Sequence, residues 1–200
     1  RCTSLLPLNW IWLVGLSMLI GLSNGYTQVV FDGSMVPIID KCELYEDTTG
    51  RLMINDIQKA TFRNPIPAVR YQEQINPHSN VWLRFNLVNQ TKDRVILFKD
   101  FTFVHYMAVF VETDTGFVCT VRNDYAPFDE KVYKHSVGQV ELNAPQFDTL
   151  SCYVMLRSKK MWNPQLFVQS TTGMLTYLSD RDFIMGIFIG ILLMMFFANL

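Results

Sequence analysis

The chain has 200 residues, half of them hydrophobic, with 17 basic and 18 acidic side chains and a formal charge of −1. A balance this close to neutral excludes a basic nucleic-acid binder and gives anionic lipid no electrostatic hold. The average also mixes different materials, because both ends are apolar and the middle is not.

At the front, residues 5–22 are almost wholly apolar, with Arg1 the only charge ahead of them. The tail of this run, Leu22-Ser23-Asn24-Gly25, offers small residues at the −3 and −1 positions of a cut after Gly25. This is the pattern of a secretory signal peptide over residues 1–25, with an uncleaved anchor as the alternative because the run is long. The chain from Tyr26 to Asp182 is therefore expected outside the cytoplasmic membrane. Without Arg1, 16 basic and 18 acidic side chains remain, so the exported part is also nearly neutral.

From Tyr26 to Lys41 the pattern is mixed, with Val36-Pro37-Ile38-Ile39 a short edge strand at best. Cys42-Glu43-Leu44-Tyr45-Glu46 alternates as a strand, and Asp47-Thr48-Thr49-Gly50 reads as a turn. Asn55, with Gln58 three residues on, predicts the capped start of one short helix, which Pro65 and Pro67 end.

The next stretch, Asn80-Val81-Trp82-Leu83-Arg84-Phe85-Asn86-Leu87, organises the rest. At a period of two, Val81, Leu83, Phe85 and Leu87 make a fully apolar face, and Trp82, Arg84 and Asn86 line the other. A strand with one wet side normally carries small or charged residues there. A large aromatic, a guanidinium and an amide in line can instead stack on a flat ring and hydrogen-bond its hydroxyl or carboxylate groups. The trio is thus a candidate ligand-binding surface on a central strand. Tyr106, Arg122, Lys131, Tyr153, Arg157 and Trp162 are candidates to line the same face. The plainer alternative is that Trp82 covers a neighbouring loop and Arg84 pairs with a carboxylate on the next strand.

Further strands are predicted over residues 94–99, 101–113, 117–122, 139–142, 151–157 and 165–169. The turns between them are Thr91-Lys92-Asp93, Asp114-Thr115-Gly116, Asn143-Ala144-Pro145 and Asn163-Pro164. About eight short strands with one minor helix predict an all-β protein, an antiparallel β-sandwich formed by one domain over residues 26–182.

At the back, residues 183–200 are uncharged and apolar except for Asn199. At about 1.5 Å per residue they span roughly 27 Å, close to a hydrocarbon core of about 30 Å. Gly186 and Gly190 add a helix-packing spacing. The run predicts the start of a membrane helix that continues beyond Leu200, reached through the linker Ser179-Asp180-Arg181-Asp182.

Three cysteines fall in the exported part. Cys119 and Cys152 lie in strand-like runs and can pair only if those strands are neighbours; the simpler role for both is as small buried hydrophobes. No spacing of histidines or cysteines suggests a metal site or a cofactor, and no nucleophile elbow, phosphate loop or acid–base pair suggests catalysis.

The order of these motifs resembles the second type of extracellular domain found in bacterial seven-transmembrane receptors with diverse intracellular signalling modules. Tyr45-Glu46-Asp47-Thr48-Thr49-Gly50-Arg51-Leu52 is similar to the family's opening strand and turn, and Ile54-Asn55-Asp56-Ile57 to its short helix. Trp82-Leu83-Arg84-Phe85 with Asn89 resembles its Trp-x-Arg strand. Asn123-Asp124 with Pro127-Phe128 is similar to a family loop, although Asn123 and Lys131 stand where Gly and Arg are frequent. Tyr153-Val154-Met155-Leu156 resembles a late strand, and residues 186–200 the first of seven helices. The resemblance implies a jelly-roll-like sandwich in the periplasm, anchored in the inner membrane, that senses a small or saccharide ligand. It further implies six more helices and a cytoplasmic histidine kinase or diguanylate cyclase. A different class of function is a protein-interaction or dimerisation module, with Trp82 at the interface.

Overall fold

In a computed structural model the described residues are 27–100, 104–123, 133–135, 137–158 and 164–199. The expected signal peptide lies outside them. Among the described residues, ten strands form two sheets. The first contains β1 (Gln28–Phe31), β3 (Glu43–Asp47), β4 (Asn80–Asn89), β6 (Val104–Thr113), β7 (Gly116–Asn123) and β9 (Thr149–Ser158). The second runs β2 (Val36–Pro37), β10 (Leu166–Ser170), β5 (Val95–Lys99), β8 (Gly138–Leu142). Between them lies one core: Val81, Leu83, Phe85 and Leu87 from β4 meet Val95, Leu97, Val140, Leu166 and Val168 from the other sheet. The predicted jelly-roll-like, all-β sandwich is what forms.

Strand β4 is the spine of the first sheet. One side pairs with β9 along nearly its whole length, from Asn80 opposite Arg157 to Val88 opposite Thr149. Its other side is shared end to end: β3 covers residues 80–84, and β1 covers residues 86–89. The β1 pairing is parallel, an exception to the expected antiparallel scheme, and β1 itself carries too little alternation to be read from sequence.

Local chemistry sets the connections. Between β3 and the first helix, the Asp47 carboxylate accepts from the amides of Thr49, Gly50 and Leu52 and from the Thr49 hydroxyl. Gly50 takes the left-handed conformation at φ 65° that this turn requires. Burial pushes the Asp47 carboxyl up, but its hydrogen bonds, led by the Thr49 hydroxyl, outweigh that and hold it below the ordinary carboxylate value. A depressed folded-state value means stability is fully present above the unfolded value and disappears as pH falls through the folded one. Asp47→Asn should therefore flatten the acid limb of a melting-temperature profile, and an unchanged limb would contradict this.

Helix α1 (Ile54–Ile57) starts two residues earlier than expected, with Met53 rather than Asn55 at its cap. Asp56, rather than Gln58, reaches back to accept from the Met53 amide at 3.1 Å. A second short helix, α2 (Tyr71–Gln74), lies in the connection to β4 and gives no sequence pattern strong enough to predict.

The three exported cysteines are all free. Strand β6 lies between β7 and β9, so Cys119 and Cys152 are not on neighbouring strands, which overturns the pairing that sequence allowed. Cys119 is exposed, whereas Cys42 and Cys152 are small buried core residues. Burial pushes the Cys152 thiol up to about 12 and the Cys42 thiol well above its ordinary value. Cys152 pairs across from Phe85, and Cys42 precedes β3 on the far side of β4. The two thiols share one core as free, buried side chains.

Candidate functional site

The sequence-predicted face lies on the outside of the first sheet, and it is covered. Segment 52–62 folds across it, so that Ile57, Trp82 and Tyr153 form a second small core with Tyr45, Leu52, Phe62, Phe110 and Met155. Trp82 is 1% exposed and its ring lies 5.5 Å from that of Phe110. Arg84 Nε donates to Glu43 Oε2 at 2.8 Å, and its guanidinium stacks 4.1 Å from the Phe62 ring centre. Glu43 sits opposite Arg84 on β3. The plainer alternative thus describes the geometry of both residues. Asn86 accepts from the Ser151 hydroxyl at 3.2 Å.

Of the remaining candidates, Tyr106 packs near the Arg157 guanidinium, 5.8 Å from the ring centre, at one end of this face. Tyr153 is in the small core, with Phe117 edge-on to its ring at 5.7 Å. For Arg122 only the backbone register is described, opposite Met107 and out of phase with Tyr106. Lys131 and Trp162 lie outside the described residues. Trp82, Arg84 and Asn86 are therefore brought together, but as parts of a packed layer.

The second sheet carries a different arrangement on its outer face. Helix α3 (Thr171–Ala198) begins directly where β10 ends, with no loop. Ser170 caps it, accepting from the Gly173 amide at 3.1 Å. The segment expected as a linker, residues 179–182, is helical, and the helix opens at Thr171 instead of near Phe183. Residues 171–182 hold no proline, their one glycine, Gly173, lies in the capped first turn, and the spacing of Met174 and Leu178 puts both on one face. Those two are buried against Ile96, Phe98 and Val137. The Tyr177 ring packs 6.0 Å from Phe98 and 6.2 Å from Phe167.

Polar groups close this contact just before the apolar run. Asp100, 1% exposed at the end of β5, accepts from the Tyr177 hydroxyl at 2.8 Å and from Arg181 Nη1. Arg181 also donates to Asp182, whose other carboxylate oxygen lies 2.9 Å from His135 Nε2. Tyr133 and Thr171 hydroxyls meet at 3.1 Å. His135, Asp182, Arg181 and Asp100 thus form a chain of alternating partners tying helix to sandwich. Beyond it, residues 183–197 expose large apolar side chains in nearly every direction, and the helix is long and apolar enough to cross a membrane.

Sequence missed this site because its residues look ordinary singly: Asp100 falls between two predicted strands, and Tyr177 and Arg181 in a polar-looking stretch. The available signal was the four-residue spacing of Met174, Leu178 and Asp182 ahead of the apolar run. Among the described residues no cluster of His, Cys, Asp and Glu is arranged to hold a metal ion.

Residues 40–170 match the family described as 7TMR-DISM extracellular 2. The chain belongs to this family. No curated protein matches it. Membership makes the sandwich an extracytoplasmic sensor domain of a membrane receptor, a family of sensing rather than catalytic domains. The match ends at Ser170, the cap of α3, so the 7TMR-DISM domain gives way to the membrane helix without an intervening residue.

Proposed function

We propose that this 7TMR-DISM domain binds a small ligand, carbohydrate-like or otherwise, at the periplasmic side of the inner membrane and passes the result inward through α3. The signal continues through further membrane helices to a cytoplasmic output domain such as a histidine kinase or diguanylate cyclase. The observation that carries this reading is the docking of residues 171–182 on the second sheet, fixed by Asp100.

A helix that continues a strand and is held by side-chain packing has no flexible joint to absorb a displacement. Ligand binding biases such a device only through its difference in affinity between two arrangements. The test uses the chain in nanodiscs with spin labels at Thr115→Cys and Ile187→Cys in a Cys119→Ser background. Mono- and disaccharides and free amino acids serve as probes. A bound probe should move the interspin distance. Saturated binding with no change in that distance would contradict the reading.

A further inference from the structure

We propose that the cleft between the 91–94 turn and the 143–147 loop is a binding site for a small neutral polyhydroxylated ligand of the mono- or disaccharide class. This rests on the sensor reading above and places its ligand. The cleft has a volume of about 590 Å³ and is lined by Lys92, Asp93, Arg94, Glu141, Asn143 and Pro145, within the usual range of roughly 300–1,000 Å³ for small-ligand sites.

Its walls are held in place from beneath. Asn89, buried at the end of β4, donates through Nδ2 to the carbonyls of Asp93 (3.3 Å) and Ala144 (2.9 Å) and accepts from Thr91. One amide thus pins both loops, so a ligand meets a rigid cleft and loses little affinity to ordering it. The lining charges balance, two basic against two acidic, with Arg94 3.5 Å from Glu141. A charged ligand gains nothing net from such a set. A molecule with many hydroxyls can accept from Lys92 and Arg94 while donating to Asp93 and Glu141.

The loop also carries an oddity. Phe147 has φ 63°, a left-handed conformation costly for a bulky residue, and its side chain is 74% exposed. Its amide donates to the Asn89 carbonyl at 2.6 Å, which holds the strained backbone against the same β4 terminus. Phe147 lies two residues past Pro145 and outside the cleft's lining, and its displayed ring offers a flat apolar partner to a sugar that extends beyond the cleft. Asp93 and Arg94 further line a second hollow of about 320 Å³, which runs to Tyr133, Ser170, Thr171 and Thr172. A ligand gripping that turn therefore acts beside the first turn of α3.

Saturation-transfer NMR and calorimetry on the full chain in nanodiscs, with glucose, N-acetylglucosamine, cellobiose and trehalose as probes, test the site. Phe147→Gly relieves the backbone strain and should keep or raise the melting temperature while weakening sugar binding roughly tenfold. Arg94→Ala, at an exposed position, should weaken it by a similar factor. Sugar binding unchanged in both variants, lost only with Arg84→Ala, or absent for every probe would overturn the cleft. The spin-label distance separates the two ideas in the same samples. A sugar bound elsewhere that moves it removes the cleft and leaves the receptor reading standing, whereas a sugar bound in the cleft that does not move it does the reverse.

Discussion

Asp100→Ala is expected to release the membrane-proximal turns of α3 from the sandwich. Asp100 is almost fully buried and receives both the Tyr177 hydroxyl and the Arg181 guanidinium. Removing one partner of such a pair leaves the other desolvated and uncompensated, which typically costs about 3–5 kcal/mol. Arg181 keeps Asp182 as a second partner, so the lower end of that range applies here. Thermal unfolding of the full chain should register the loss, and proton–deuteron exchange over residues 171–182 should rise sharply. Asp100→Asn keeps an acceptor for Tyr177 and should fall between the two. A destabilised sandwich whose helix exchanges as slowly as before would show that Asp100 is structural but not a coupling element.

The second large effect is at Trp82. Its side chain is enclosed by Ile57, Phe110 and Met155, so Trp82→Ala opens a cavity and should cost about 3–5 kcal/mol. Its Nε1 is buried with no hydrogen-bond partner among the described residues. An orphaned donor costs about 1–3 kcal/mol, so Trp82→Phe, which deletes it, should lose far less than the alanine variant. Chemical unfolding of both variants checks the contrast. If Trp82→Ala leaves stability within about 0.5 kcal/mol of wild type, the ring is at an ordinary surface position and the covered face does not exist.

This face misled a reading from sequence for a physical reason. Alternation in β4 correctly separates Val81, Leu83, Phe85 and Leu87 from Trp82, Arg84 and Asn86, and the sandwich arises from that pattern repeated. Alternation reveals which residues share a face but not what lies on the far side. Here the first sheet is roofed by 52–62 and the second by α3, so both outer faces are partly dry. One strand announced this: Val95-Ile96-Leu97-Phe98-Lys99 is buried at every position, and a continuous apolar run marks a strand covered on both sides. A tryptophan on the supposedly wet side of β4 carried the same message.

The coupling site was harder to see. Its polar contacts join residues far apart in the chain, Asp100 with Arg181 and His135 with Asp182, and charge spacing in sequence reports only neighbours on one element. The apolar run was legible, but the start of its helix was not. Residues 171–182 of the helix precede that run, and their ordinary composition looks like a linker until the sheet they pack against is known.

Sandwich and membrane helix are expected to move as one body. The most direct measurement is the width of the distance distribution between labels at Thr115→Cys and Ile187→Cys, in a Cys119→Ser background in nanodiscs without any ligand. A docked helix predicts one narrow peak that broadens on Asp100→Ala. A broad distribution in the otherwise wild-type chain, indifferent to Asp100, would mean that the helix swings freely and the sandwich cannot report through it.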